Sequence, residues 1–161
     1  MVVIVTGVSG AGKTTVGRAL ARSLGWRFLD ADDLHPHSNV EKMAAGIPLT
    51  DADRWPWLAR VRAQLETAVE KGEDVVLASS ALKQSYRAAL EVAPDQTRWV
   101  YLHAPHEVLA RRLSQRQGHF MPPSLLESQL ATLEVPEEAL SVDVTPPPDE
   151  VVKHLREGLG L

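Results

Sequence analysis

Gly7-Val8-Ser9-Gly10-Ala11-Gly12-Lys13-Thr14 fits G-x-x-x-x-G-K-[ST], the pattern of a Walker A phosphate loop. Its glycines let the backbone turn tightly and aim successive N–H groups at one anion. Lys13 can reach the outer phosphates, and the Thr14 hydroxyl can ligate Mg²⁺. The flanks agree. Val2-Val3-Ile4-Val5 reads as a buried strand, and Thr15 to Leu24 reads as a helix whose N-terminus adds partial positive charge to the nest. Alone, such a loop means only a nucleotide binder; kinases, switches and motors all carry it.

The bulk properties narrow the class. A chain of 161 residues suits one domain, 1–161, with a full core. The net charge of −4 gives no nucleic-acid footprint. Cysteine is absent, which excludes disulfides and thiolate metal sites and fits a reducing cytosol. No apolar run approaches membrane-spanning length. Met1 leads at once into the first strand, so a cytoplasmic protein without a signal peptide is expected.

Outward from the loop, strands and helices alternate. Gly25 stops the first helix. Trp26 to Leu29 is a second strand, followed by Asp30-Ala31-Asp32-Asp33 and Leu34-His35-Pro36. Asn39 is expected to cap a short helix that closes at Gly46. Thr50 to Arg54 opens a helical region, with Pro56 near the first turn of a long helix running to about Lys71. Val75 to Ala78 is a third strand, and Ser79 to Lys83 turns into a helix carrying Tyr86 and Arg87. Trp99 to Leu102 is the fourth strand, and Pro105 starts an arginine-rich helix with Arg111, Arg112 and Arg116. After the loop Gly118 to Pro123, Ser124 to Glu127 matches a capping box. Leu140 to Val144 is a fifth strand, and Asp149 to Leu159 a closing helix. The alternation predicts an α/β fold, a five-stranded parallel, doubly wound sheet. The basic helices between the fourth and fifth strands suggest a lid over phosphates, about residues 104–136.

Phosphoryl transfer needs neutralised phosphates, an in-line acceptor and a group that orients the acceptor hydroxyl. Asp30 and Asp32 follow a strand, at the carboxyl edge where open parallel sheets bind ligands. Read as alternating positions at a strand end, one acid is expected toward Mg²⁺ and the other toward the acceptor. A lone Asp-x-Asp would read as solvated turn acids; a phosphate loop upstream changes that. Arg54, Lys83 and Arg87 are cations on elements starting near the same edge, though surface charge is the usual fate of such residues. By the same ordinary reading His119 is a loop residue, His35 a turn residue beside Pro36, and Trp55 and Trp57 packing residues. A GTP switch would need an N/T-K-x-D segment, and none occurs.

The chain resembles the gluconate kinases, small P-loop kinases related to shikimate and adenylate kinases. The resemblance is carried by the phosphate loop, Leu29 to Pro36, Asn39 with Lys42-Met43, and Gly46 with Pro48-Leu49. It continues through Asp51 with Asp53-Arg54, Pro56-Trp57-Leu58, Ser80 to Lys83 with Tyr86-Arg87, and Arg116 with Gly118 to Met121. Ser128-Gln129 and Leu133-Glu134 with Pro136 complete it. Ala11, Ser79 and Leu130 depart from common family residues, and none removes a polar group the mechanism requires. The blocks around His35-Pro36 and Gly118 to Met121 disfavour shikimate or a nucleoside monophosphate as acceptor.

The resemblance implies a P-loop NTPase fold of the nucleoside monophosphate kinase type, three-layered with a helical lid. It implies ATP-dependent phosphorylation of D-gluconate, a small-molecule substrate, on its 6-hydroxyl with Mg²⁺. ATP contacts are expected from Gly7, Val8, Ser9, Gly10, Ala11, Gly12, Lys13, Thr14, Thr15 and Arg112, and from the Thr145-Pro146 turn at the adenine edge. Thr14 and Asp30 are expected at the metal, and Lys13, Asp32 and Arg116 in catalysis. Gluconate contacts are expected from Asp32, His35, Arg54, Lys83, Arg87 and His119, with Arg54 clamping the carboxylate. Family members often form homodimers, but no stretch of the sequence shows an interface.

Overall fold

The computed structural model describes residues 1–115 and 125–161. Five strands form one parallel sheet: β1 Val2–Thr6, β2 Arg27–Asp30, β3 Val75–Ser79, β4 Thr97–His103 and β5 Leu140–Asp143. Their order is β2-β3-β1-β4-β5, with β1 in the centre. The registers Val5↔Ala78, Asp30↔Ala78 and Val5↔Val100 line up the carboxyl ends of the inner strands. From β1 the chain runs to β2, and from β3 it runs to β4 in the opposite direction along the sheet. A ligand crevice forms where such connections diverge.

Two apolar faces hold the helices. Val3 and Val5 point to one side, against Val16 and Leu20 of α1 (Lys13–Leu24), Leu109 and Leu113 of α5 (His106–Gln115), and Val151 and Leu155 of α7 (Pro148–Leu159). Val2 and Ile4 point to the other, against Trp57, Val61 and Leu65 of α3 (Asp51–Glu70) and Tyr86 and Leu90 of α4 (Gln84–Leu90). Strands buried on both faces read as unbroken apolar runs, as Val2 to Val5 and Val75 to Ala78 do. The expected doubly wound sheet is therefore observed.

Several local expectations are corrected. β2 begins and ends one residue later than its apolar run suggested, so Asp30 is its last residue. A 3₁₀ turn, Ala31–Leu34, follows directly, with Asp30 as its cap. Asp32 therefore stands on a turn, and since strand residues two apart share a face, alternation would not separate the two acids in any case. Asn39 lies inside α2 (His37–Ala44) and does not cap it; Pro36 precedes that helix, and the Asn39 amide is spent on Asp53 O at 2.9 Å. α3 is one continuous helix from Asp51, with Pro56 in its second turn. Pro56 and Ala52 are both exposed, so the carbonyl deprived of its helical partner is solvated. A capping box fixes the start of α3: Thr50 Oγ1 accepts from Asp53 N–H, and Asp53 Oδ2 accepts from Thr50 N–H. Pro105 lies just outside α5, its carbonyl accepting from Val108 and Leu109. The proposed capping box at Ser124 falls outside the described residues, and α6 is described from Leu125 to Thr132. A second 3₁₀ turn, Pro94–Gln96, carried no sequence signal that marked it.

Leu65 is fully buried between α3 and the sheet. Leu65→Ala is expected to lower the free energy of unfolding in urea by about 2–5 kcal/mol. A loss under about 1 kcal/mol would contradict its place in a packed core.

Candidate active site

The phosphate loop connects the end of β1 to the start of α1. Gly10 and Gly12 adopt φ of 88° and 81°, in the left-handed region that favours glycine. A Cβ on Gly10 would lie 2.8 Å from Leu109 O, so α5 closes directly over the loop. Ala11 N–H donates to Val8 O at 3.2 Å, and Lys13 Nζ donates to the same carbonyl at 3.1 Å. The lysine is thus folded over the loop it belongs to.

Thr14 Oγ1 donates to Asp30 Oδ2 at 2.8 Å, and Asp30 Oδ1 accepts from Asp32 N–H at 3.0 Å. One carboxylate therefore joins the first turn of α1 to the turn beyond β2. A cavity of about 430 Å³ opens beside the loop, lined by Gly12, Thr14, Thr15, Arg112 and Pro146 among others. That is within the range of small-ligand sites. Arg112 is fixed there by a 2.6 Å bond from Nη2 to Val144 O, so it reaches the β5–α7 connection as well as the loop.

On the other side of Asp30 lies a second, tight cavity of about 30 Å³. His35, Met43, Arg54, Trp57, Ser80 and Gln129 contribute to its wall. The His35 ring stacks on Trp57, with centroids 4.2 Å apart and planes 14° apart. Trp57 is itself held by Nε1–H donating to Ala31 O at 2.7 Å. Asn39 Nδ2 lies 3.2 Å from His35 Nδ1, which makes Nδ1 the acceptor and leaves the proton of a neutral ring on Nε2. Burial, then the Arg54 charge, lower the His35 pKa to about 4 against the opposing pull of Asp30. The ring is therefore neutral at pH 7.

Arg54 Nη1 donates to Leu49 O at 2.7 Å and to Tyr86 Oη at 3.3 Å. Tyr86 donates to Asp51, which also pairs with Lys83 Nζ at 3.1 Å. Burial and the Asp51 bond raise the Tyr86 pKa, and the bond to Asp51 raises that of Lys83. Lys42 Nζ sits 2.9 Å from Asp53 and, with Thr50 N–H, holds that carboxyl down at about 2. The start of α3 is thereby pinned to α2.

The structure brings Lys13, Thr14, Asp30 and Asp32 to one edge of the sheet, with His35 and Arg54 in the wall of the smaller cavity and Lys83 linked to Arg54 through Asp51 and Tyr86. Arg87 is not brought there. It is buried, its Nη1 donates to Ala81 O and Leu82 O at 3.2 and 3.1 Å, and it borders a separate cavity with Trp99 and Glu134. Its donors brace the chain between β3 and α4. Trp57 is a packing residue, as expected, whereas Trp55 is 45% exposed and meets the Tyr86 ring edge-on. Arg116 and His119 lie outside the described residues. Sequence reasoning gave no role to Asn39, Tyr86 or Gln129 at the site. All three belong to the blocks that carry the family resemblance, but no local pattern assigns them a contact there.

Known proteins place this geometry in a family. A family model described as an AAA domain matches residues 2–136. A gluconokinase of Gluconobacter oxydans (strain 621H) is 51% identical over 155 residues, covering 94% of this chain and 87% of that protein. The chain belongs to the gluconokinase family. A solved gluconokinase from Sinorhizobium meliloti 1021 is 48% identical with a TM-score of 0.87, covering 98% of this chain and 90% of that one. A shikimate kinase from Aquifex aeolicus vf5, at 22% identity and a TM-score of 0.63 over 99% and 96% of the two chains, shares the fold. The residues matched by the family model, 2–136, take in the phosphate loop and the start of α3. No helix among the described residues is long and apolar enough to cross a membrane.

The neutral, buried His35 makes stability depend on pH. In the unfolded chain the ring titrates near 6.5, and in the folded chain near 4. As pH falls, the unfolded state takes up the proton first. This contribution is fully present above about pH 6.5 and is lost as pH falls toward about 4. Between pH 7 and about pH 5 it amounts to ~2 kcal/mol. Urea unfolding of the wild type and of His35→Gln at both pH values should show a shallower loss in the variant. Equal losses would contradict a buried neutral ring.

Proposed function

We propose that the chain transfers the γ-phosphoryl group of ATP to the 6-hydroxyl of D-gluconate, giving 6-phospho-D-gluconate and ADP. The observation that carries this reading is the Asp30 carboxylate. It couples Thr14, which lines the larger cavity, to the Asp32 turn that leads into His35 of the smaller one, so one strand tip links the walls of both.

The chemistry follows from the groups present. Loop N–H groups and Lys13 bind the phosphate tail. The Thr14 hydroxyl and the Asp30 carboxylate are hard oxygen donors 2.8 Å apart, a pairing that suits Mg²⁺. Among the described residues no group of three or more His, Cys, Asp or Glu side chains is available to cage a metal. Mg²⁺ would therefore be held by Thr14, Asp30, phosphates and water. When bound it neutralises charge on the transferring phosphoryl group. Asp32 orients the 6-hydroxyl and accepts its proton. The bond from that oxygen to the γ-phosphorus forms as the bond from the γ-phosphorus to the bridging oxygen breaks, and ADP leaves.

Arg54 supplies the cation for the gluconate carboxylate, and the Nε2–H of neutral His35 donates to a hydroxyl. Lys83 reinforces the positive rim from its pairing with Asp51. Arg112, held on the β5–α7 connection, serves the adenine end. In this reading a lid spans about residues 104 to 136 within a single kinase domain; Arg116 and His119, which the same reading assigns to it, lie outside the described residues.

ADP release should require both added gluconate and Mg²⁺; ADP formation unaffected by gluconate counts against the acceptor. Asp32→Asn should lower kcat by roughly 10²–10⁴-fold while ATP binding stays nearly intact. A drop under about tenfold would restrict Asp32 to positioning. Arg54→Ala should raise the gluconate KM by roughly ten- to a hundred-fold and leave the ATP KM little changed. Equal effects on both would move Arg54 out of the sugar-acid site.

A further inference from the structure

Gln129 stands on α6 and is 8% exposed. Its Oε1 accepts a 2.7 Å hydrogen bond from the backbone N–H of Ser9, inside the phosphate loop. The same residue lines the small cavity that holds His35 and Arg54. One side chain therefore touches both the phosphate cradle and the acceptor wall. The chain beyond α6 is docked separately: Glu134 N–H donates to Leu82 O, and Glu134 Oε1 accepts from Gln84 N–H, each at 2.8 Å.

The size of the cavity makes this contact consequential. About 30 Å³ holds at most a few water molecules, whereas a small-ligand site needs roughly 300 Å³ or more. A polyhydroxy acid enters only if the walls part. On one side His35 is stacked on Trp57, whose Nε1–H donates to the Ala31 carbonyl at the sheet edge. The Gln129 side is tied to the loop by the Ser9 bond. Parting the walls there loads that bond, and a buried N–H that loses its acceptor must find another. Within a phosphate loop the available replacement is a phosphate oxygen.

We propose that Gln129 is a positioning residue that couples acceptor entry to the phosphate loop. Its carboxamide oxygen holds the Ser9 N–H while the acceptor cavity is closed, and gives it up to phosphate when the acceptor parts the wall. The proposal rests on the acceptor reading above and adds a residue and a linkage to it.

Two measurements on the full chain test it. In the first, the affinity for a non-hydrolysable ATP analogue is measured with and without gluconate. Gluconate should tighten binding by about fivefold or more in the wild type, and this ratio should fall close to one in Gln129→Ala. Gln129→Asn keeps the amide but is one methylene too short to reach Ser9, and should behave like Gln129→Ala. A variant that merely loosens the fold would lower the melting temperature and leave the ratio intact. An unchanged ratio in either variant overturns the proposal. In the second, the analogue alone is added and hydrogen exchange of residues 126–133 is followed. Protection there should drop in the wild type, as phosphate displaces Gln129 from Ser9, and stay constant in Gln129→Ala. No response in the wild type, or the same response in both, overturns the proposal. This arm uses no acceptor, so it decides the coupling even if gluconate proves not to be the substrate.

Discussion

The site depends on what one carboxylate does with its two oxygens. Asp30 Oδ2 receives the Thr14 hydroxyl from the phosphate loop, and Oδ1 receives the Asp32 amide from the turn beyond β2. The parallel sheet brings these pieces within reach by setting β2 beside β3 and β3 beside β1, with strand ends in register. A side chain at that tip can then fix the separation between the phosphate loop and the Asp32 turn to within a hydrogen bond. Catalysis by positioning needs that precision, since small misplacements of reacting atoms are costly.

The acceptor side is built from a different principle, a buried polar cluster satisfied from several elements. Trp57 of α3 reaches the Ala31 carbonyl, His35 stacks on Trp57, and Asn39 of α2 joins His35 to the carbonyl of Asp53. Lys42 and Thr50 then hold Asp53. The start of α3, which carries Arg54, is thus braced against α2 and the strand tip together. Arg54 spends one nitrogen on Leu49 O and Tyr86, which sets the direction of its planar fork toward the cavity. An arginine held this way loses less freedom on binding a carboxylate than a loose surface cation would.

The phosphate loop was legible in the sequence because its chemistry is local: glycines, lysine and threonine at fixed spacing between an apolar run and a helix. The parallel sheet was legible because its inner strands are apolar on both faces. The turn after β2 was not, since four residues of 3₁₀ helix have no period to read, and the alternation argument for Asp30 and Asp32 fails there: the Asp30 carboxylate caps the turn by accepting from Asp32 N–H. Arg87 shows a second limit. Whether an arginine meets a ligand or braces carbonyls depends on the path of residues 81–82 past it, which spacing does not encode. Gln129 shows a third, because its partner Ser9 lies 120 positions away. The family resemblance supplied the acceptor chemistry, which neither composition nor periodicity carries.

The central claim is that the phosphate loop and the β2 tip present a nucleotide and a sugar-acid alcohol to each other across Asp30. A crystal structure with a non-hydrolysable ATP analogue, Mg²⁺ and gluconate tests it most directly. The C6 oxygen is expected at about 3–3.5 Å from the γ-phosphorus, in line with the bridging oxygen and hydrogen-bonded to Asp32. Gluconate bound elsewhere, or its C6 oxygen far from phosphorus with Asp32 turned to solvent, would contradict it.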